Sequence, residues 1–445
     1  MSKESKLRFS VADQYRELFF DKTPEARGRF CMVVAGILQN IIGNLAGGAF
    51  YSAFLLAYGI NLTNIGIIIF IPYIASLFTL LSPLALSKFK QRKWVLFVTR
   101  LIHYTLYIMG ITVLPMIVEG ETAKVVCFAV IMFAANVINF IFGPGYSVWH
   151  FNFLPDKVRS AYFTQSQFLS ALVSGVMIVL VSIGADYFVG KPQEHMVIIA
   201  VRVIAFVFAL VDSVILVLPK EYPYPKSETK LRLSDVIRKP LKNKMFLGAI
   251  GLYCGYCMYV NLSASVQNAY ILSDTKVTYT LIYGINALYA VFFIAFSGFW
   301  QKMIRRRGWV PVFSIATFML TATYVLFMFI NYDNSIWLFT LVRILQHFIG
   351  VGQNVTAANL HLLYMPTEDR DNFVSFYSLV ANLASFVAMM LGTGFVAFMG
   401  DSTLVFLGHE FTSVPLLMGF HALACIVVGF LARKFHKAEL RLASE

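Results

Sequence analysis

The chain has 445 residues, of which 58% are hydrophobic and only 13% are charged. Soluble domains carry about a quarter charged residues, so this composition excludes an ordinary soluble protein. The formal net charge is +13, which in a soluble chain would indicate nucleic-acid binding. The placement of the basic residues argues against that partner.

Apolar stretches recur along nearly the whole chain, and each has about the 20 residues that a helix needs to span a bilayer. Lipid offers no hydrogen-bond partner to the backbone, so each stretch is expected to be helical. In chain order the predicted helices cover residues 30–58, 63–83, 94–118, 123–149, 161–187, 195–218, 243–271, 277–300, 309–332, 334–362, 371–399 and 413–432. The sequence therefore predicts an all-α membrane protein with twelve transmembrane helices.

The Lys and Arg residues lie almost entirely on one side of these helices. Of the 36, 30 fall in the terminal arms and alternate loops of one side, three in the loops of the other side and three inside helices. Basic loops are retained in the cytoplasm, so both termini are predicted to be cytoplasmic. We expect a multi-pass protein of the plasma membrane, of the kind found in the bacterial inner membrane, and no nucleic-acid partner.

Two pairs of loops repeat along the chain. The loop residues His150, Pro155 and Arg159 recur 211 positions later as His361, Pro366 and Arg370, and Arg92, Trp94 and Val95 recur 215 positions later as Arg307, Trp309 and Val310. Such a repeat predicts two parallel six-helix halves. The predicted parts are a cytoplasmic arm (1–29), an N-terminal bundle (30–218), a cytoplasmic linker (219–242), a C-terminal bundle (243–433) and a cytoplasmic tail (434–445).

These loops resemble a motif of the major facilitator superfamily. The family's loop after the second helix typically reads G-x-x-x-D-R-x-G-R-R, and this chain has the basic end twice, at Arg92 and at Arg305–Arg307. The resemblance covers about residues 30–433. It implies two pseudo-symmetric six-helix bundles that rock around a central cavity, lined by the first, fourth, seventh and tenth helices.

Polar side chains fall at helical spacing within several predicted helices, including those four. Such groups are costly in lipid and tend to face water or another helix. The candidate substrate-binding residues are Asn40, Asn44, Tyr51, Asn136, Asn139, Asn261, Gln267, Asn268, Tyr283, Asn286, Arg343, His347 and Asn354. The candidate gating residues are Arg92, Arg159, Arg307 and Arg370. The alternative for any single amide is a structural hydrogen bond between helices.

The charged residues within predicted helices are few. Arg343 has no acidic residue three or four positions away, so it either binds an anionic group or serves the structure. Arg202 and Asp212 are interpreted as interfacial, and Arg100 is expected to reach the cytoplasmic surface. Because no carboxylate is expected near a helix midpoint, His347 and His103 are the candidates for proton coupling.

The sequence favours a secondary active transporter, a symporter or antiporter, for a small polar organic solute such as a sugar, a nucleoside or an organic anion. One alternative is an exporter of hydrophobic drugs or a lipid flippase. Another, of a different class, is a non-transporting receptor or assembly factor on the same fold. No P-loop, HExxH or GxSxG motif occurs, so we expect no enzymatic activity, cofactor or metal. The expected partners of a monomer are the small-molecule substrate, membrane lipid and a coupling ion, either a proton or sodium.

Overall fold

The computed structural model describes residues 16–444 apart from 152, 155, 222–232, 367–369 and 407. A π-helical turn, Arg16–Phe20, precedes the first α-helix. The helices in the first half are α1 (Pro24–Leu45), α2 (Gly48–Ala57), α3 (Leu62–Ala75), α4 (Ser82–Ser87), α5 (Lys93–Tyr104), α6 (Ile111–Ile117), α7 (Glu121–Phe142), α8 (Pro144–Phe151), α9 (Asp156–Phe188) and α10 (Glu194–Val217). Ser76–Leu81 is a 3₁₀-helix joining α3 to α4, and Thr105–Gly110 is a π-helix joining α5 to α6.

The rest of the described chain is also helical, apart from one short hairpin. Its elements are α11 (Leu233–Lys242), α12 (Lys244–Asn261), α13 (Gln267–Asp274), α14 (Tyr279–Arg307), α15 (Trp309–Met328), α16 (Ser335–Leu363), α17 (Arg370–Met399), β1 (Leu404–Phe406), β2 (His409–Phe411) and α18 (Ser413–Ser444). The hairpin pairs β1 with β2 in antiparallel register, Leu404 opposite Phe411. It was not predicted from the sequence.

Eleven helical segments of the described chain are long and apolar enough to cross a membrane. The seventh predicted span is divided between α12 and α13 by the non-helical residues 262–266, and it completes the set of twelve. The prediction of an all-α membrane fold with twelve helices is confirmed.

Several spans are interrupted, and a proline accounts for one of the interruptions. Gly143 and Pro144 separate α7 from α8, because proline lacks an N–H donor and collides with the preceding turn. The break between α1 and α2 was not predicted. It falls at Ala46–Gly47, and the following Gly48 has a φ of +54°, a backbone conformation that glycine adopts without strain.

The ends of several helices differ from their predicted positions, as three examples show. The first helix begins at Pro24, where the Thr23 hydroxyl accepts a hydrogen bond from the Ala26 amide at 3.2 Å, a standard N-cap. Part of the predicted linker is helical, as α11. The last helix continues through the predicted tail as far as Ser444. Apolar periodicity does not mark these extensions, because they carry polar residues.

The described residues form two compact units. The first unit comprises the described residues of Met1–Tyr51, Phe78–Val118 and Val130–Lys226. The second unit comprises the described residues of Ser52–Leu77, Glu119–Ala129 and Ser227–Glu445. In the first unit, α1 packs against α9 and α10, and α10 packs against α5. In the second, α15 packs against α16 and α18, α12 against α17 and α18, α14 against α16, and α3 against α17. The helix α3, from the predicted N-terminal bundle, thus belongs to the second unit.

Candidate functional site

An exposed polar cluster in the second unit centres on Asn354 of α16. The Tyr256 hydroxyl of α12 donates to Asn354 Oδ1 at 2.9 Å, and Asn354 Nδ2 donates to the Tyr289 hydroxyl of α14 at 2.8 Å. Three helices therefore fix the orientation of one accessible amide. We call Tyr256, Tyr289 and Asn354 the amide cluster.

His347 and Arg343 lie two and three turns before Asn354 on α16. The His347 ring is 5.5 Å from the Tyr289 ring between centroids, and its Nε2 lies 2.9 Å from the Ile285 carbonyl oxygen. A carbonyl only accepts, so Nε2 carries the proton and Nδ1 is left as an acceptor. Arg343 Nη1 donates to Gln346 at 3.2 Å. Its buried Nε has no hydrogen-bond partner among the described residues.

A second polar group surrounds Asn261, the last residue of α12. Asn261 Nδ2 donates to the Cys257 carbonyl at 2.8 Å and to the Ser385 hydroxyl at 3.2 Å. The Tyr73 hydroxyl donates to Asn261 Oδ1 at 3.4 Å. Asn261 is thus a partly buried link between α12, α17 and α3.

The other candidates in the second unit are not part of the amide cluster. Gln267 and Asn268 lie beyond the break in the seventh span, in the first turn of α13. Tyr283 is buried at 5% exposure, and Asn286 is exposed. The break separates Gln267 and Asn268 from the helical face to which the sequence assigned them.

In the first unit, the candidates on α1 and α2 have different environments. Asn40 Nδ2 donates to the Ser170 hydroxyl of α9 at 2.6 Å, and Asn44 Nδ2 donates to the Asn40 carbonyl at 2.8 Å. Tyr51 is buried, with the Arg202 guanidinium carbon 5.2 Å from its ring centroid. Asn40 thus joins α1 to α9.

The candidates on α7 bond mainly within their own helix. Asn136 is buried, and its Nδ2 donates to the Met132 carbonyl at 2.8 Å. Asn139 is half-buried, and its backbone carbonyl accepts from the Gly143 amide at 2.7 Å, at the end of the helix.

A buried ion pair joins α5 to α10, which corrects two expectations. Arg100 Nε lies 2.7 Å from Asp212 Oδ2, and their side chains are 10% and 0% exposed. The Tyr104 hydroxyl donates to the same oxygen at 2.9 Å, and Gln39 Nε2 donates to Oδ1 at 3.2 Å. Arg100 does not reach the surface and Asp212 is not interfacial, because each is the counter-ion that makes burial of the other tolerable.

Arg202 is also fully buried, at 0% exposure, so its interpretation as interfacial is wrong. Nη1 donates to the Ala46 carbonyl at 3.2 Å, at the break between α1 and α2. Nη2 donates to the Tyr107 and Ile108 carbonyls at 3.3 and 3.2 Å, within the π-helix. Irregular helices leave carbonyls without their usual partners, and the five N–H groups of a guanidinium can satisfy several at once.

The candidate gating residues lie at helix ends. Arg92 immediately precedes α5, and its backbone amide donates to the Glu221 carboxylate at 2.6 Å. Arg307 is the exposed last residue of α14. Arg159 lies in the first turn of α9 and Arg370 begins α17; their side chains lie outside the described residues.

Sequence reasoning missed several polar residues of the second unit. Tyr256 was not selected, because tyrosines within apolar helices resemble ordinary core aromatics. His421 of α18 is 1% exposed, stacks on Tyr324 with centroids 3.6 Å apart, and lies 3.4 Å from the Ser263 hydroxyl. A histidine inside a predicted membrane helix is itself a signal, and it could have identified this residue.

The second half of the chain matches a known family. The family model of the Major Facilitator Superfamily matches residues 245–444. No curated protein sequence matches the chain significantly.

Solved transporter structures share the fold over nearly their whole length. A single-substitution variant of the nucleoside transporter NupG has a TM-score of 0.69 at 12% identity, covering 92% of this chain and 99% of that chain. The POT family transporter PepTSo has 0.67 at 13% identity, covering 94% and 99%. A bacterial homolog to the human lysosomal transporter Spinster, inward-facing and unoccupied, has 0.62 at 14% identity, covering 94% and 98%.

The fold is therefore that of a multi-pass membrane transporter. The family match over residues 245–444 agrees with this fold.

Proposed function

We propose that this protein is a secondary transporter that moves a small polar organic solute by alternating access. The amide cluster is the observation that carries the proposal. Asn354 is exposed, its side chain is held by hydrogen bonds with two other helices, and it lies on the tenth span, where the sequence predicted a cavity lining.

The amide cluster offers both hydrogen-bond donors and hydrogen-bond acceptors, and all of them are neutral. Asn354 gives one N–H to Tyr289 and accepts the Tyr256 proton. The Tyr289 proton, the second Asn354 N–H and the lone pairs of the Tyr256 oxygen are left over. Adjacent donors and acceptors of this kind fit the hydroxyl or amide groups of a sugar or nucleoside. A wholly apolar drug would leave them unpaired at a cost of about 1–3 kcal/mol each, which disfavours the exporter alternative.

Arg343 and His347 add a positive charge and a titratable group to the same helix. The unpartnered Nε of Arg343 is a donor suited to an anionic part of the solute. His347 is half-buried, with Nδ1 free to take a proton, whereas His103 is 8% exposed. If transport is coupled to protons, His347 is therefore the better placed of the two histidines.

The proposal assigns different roles to the other candidates. Tyr51, Asn136 and Tyr283 are buried and are assigned structural roles, whereas the exposed Asn286 of the second unit is a further candidate contact for the solute. Arg92, Arg159, Arg307 and Arg370 gate it. The basic-loop asymmetry supports cytoplasmic termini in a plasma membrane, and the protein is proposed to work as a monomer of two six-helix halves, with membrane lipid around it.

Uptake into proteoliposomes tests the proposal. We would measure labelled glucose, uridine and lactate, with and without a pH or sodium gradient, for the parent protein and for Asn354→Ala. Loss of one hydrogen bond to solute and of the restraint on both tyrosines should lower uptake efficiency about tenfold.

Asn359→Ala is the matched control. Asn359 lies on the same helix, and among the described residues its Nδ2 bonds only the Val355 carbonyl of its own turn, so uptake by this variant should equal the parent's. Uptake of no solute class above protein-free vesicles would reject the transporter proposal. Equal losses in the two variants, or none in Asn354→Ala, would remove the amide cluster from the site.

A further inference from the structure

A cavity of about 630 Å³ opens at one end of the first unit. It lies between the π-helical turn, the first turns of α1, the start of α5 and the residues that follow α10. The side chains of Lys22, Arg27, Lys93 and Lys220 line it, and Asp21 is the one acidic residue among the described residues of its lining.

The positive charge of this cavity is only partly compensated. Asp21 accepts from the Lys22 backbone amide at 2.8 Å, and Lys93 Nζ donates to the Pro219 carbonyl at 3.2 Å. Lys22 and Arg27 are exposed and form no ion pair with any described residue. Lys22 and Arg27 therefore supply exposed positive charge for an anionic ligand in this cavity.

The wall of the cavity is fixed in place. Arg29 Nε donates to the Leu18 carbonyl at 2.8 Å, and its Nη1 donates to the Phe153 carbonyl at 3.1 Å. Leu18 and Phe19 are 2% and 6% exposed. The turn that forms part of the cavity wall is therefore held against α1 and the segment after α8. The site is thus already formed before a ligand binds.

Large apolar side chains border the same cavity and are exposed. Phe20 is 67% exposed, Phe30 is 43% exposed and Leu218 is 57% exposed, and the two phenylalanine rings lie 5.9 Å apart. In water this surface would be unfavourable, whereas at a membrane boundary aromatic and basic side chains commonly occur together. A soluble anion would contact only the basic side chains, whereas an amphiphile would contact both the basic and the apolar side chains.

We propose that this cavity binds the phosphate headgroup of an anionic phospholipid, with the acyl chains along Phe20, Phe30 and Leu218. The inference rests on the orientation proposed above, which puts these residues at the cytoplasmic leaflet, where anionic lipids concentrate. Its residues are separate from the amide cluster and from every candidate substrate-binding residue.

Lipid binding to the purified full-length protein tests this proposal without reference to transport. Thermal unfolding in mixed micelles would be followed as phosphatidylglycerol replaces phosphatidylcholine. A bound lipid stabilises the folded state in proportion to its affinity. We expect phosphatidylglycerol to raise the melting temperature, and the double variant Lys22→Gln/Arg27→Gln to bind it about 30-fold more weakly.

The control removes two exposed charges elsewhere, in Arg305→Gln/Arg306→Gln at the end of α14, and should keep the parent affinity. Equal losses in both double variants would show non-specific attraction and overturn the proposal, as would no loss in the cavity variant. A parallel titration with inorganic phosphate separates the sources, since equal stabilisation by phosphate would assign the cavity to a soluble anion. Because no arm measures uptake, failure here is distinct from failure of the transport proposal.

Discussion

Neutralising Asp212 should destabilise the first unit strongly, because its carboxylate is the counter-ion of a buried guanidinium. Asp212 accepts from Arg100, Tyr104 and Gln39 at 2.7, 2.9 and 3.2 Å, with no exposed side-chain surface. In Asp212→Asn an amide N–H₂ replaces one acceptor, and the Arg100 charge stays buried without compensation. Removing one partner of a buried pair costs about 3–5 kcal/mol, which corresponds to a fall in melting temperature on the order of 10 °C.

The assay is residual monomer after heating, measured by fluorescence-detected size-exclusion chromatography of the full-length protein. Arg100→Met/Asp212→Leu should recover most of the loss, because a buried pair can be replaced by apolar side chains at little net cost. The double variant should remain less stable than the parent by about 1–3 kcal/mol, because the buried Tyr104 hydroxyl has lost its partner.

The exposed pair Lys276–Asp333 provides the control. These side chains are 41% and 93% exposed and 3.6 Å apart, so Asp333→Asn should melt close to the parent. The reasoning is refuted if Asp212→Asn melts within about 2 °C of the parent, an amount worth under 1 kcal/mol. It is also refuted if the loss of stability in Arg100→Met/Asp212→Leu equals the sum of the losses in Arg100→Met and in Asp212→Leu.

Two further predictions concern the second unit. Arg343→Gln should abolish solute binding while folded yield stays near the parent's, and Arg343→Lys should rescue poorly, because a point charge cannot reproduce the guanidinium fork; ligand-induced thermal shift measures both. Gly392→Ala should lower folded yield, because its added methyl would overlap the backbone carbonyl of Leu262 in the break of the seventh span. Overpacking of this kind typically costs about 1–3 kcal/mol.

Each of these has an outcome that would contradict it. Unchanged transport with a lower melting temperature in Arg343→Gln would make Arg343 a structural residue. Gly394 has no atom within 4 Å of an added methyl, so Gly394→Ala should fold normally. Equal yields for the two alanine variants would show that the close approach at Gly392 is not required.

The sequence alone determined the number of membrane helices, their approximate positions along the chain and the all-α fold. These properties depend on hydropathy and on the need of each backbone to satisfy its own hydrogen bonds, and both act within single segments. The Gly143–Pro144 interruption was predictable for the same reason. The charge asymmetry of the loops and the polar face of α16 are likewise local patterns; the first predicts an orientation, and the second supplied Asn354, one of the three residues of the amide cluster.

Only the tertiary structure decided which polar groups meet. Arg100 and Asp212 are 112 positions apart, and Tyr256 and Asn354 are 98 apart, so no spacing along one helix relates them. The breaks at Ala46–Gly47 and at residues 262–266 carry no proline, and at the first of them the Ala46 carbonyl accepts a hydrogen bond from Arg202 of another helix. In lipid, polar groups pair with whatever partner a neighbouring helix presents. That choice depends on which helices are neighbours, which hydropathy does not encode.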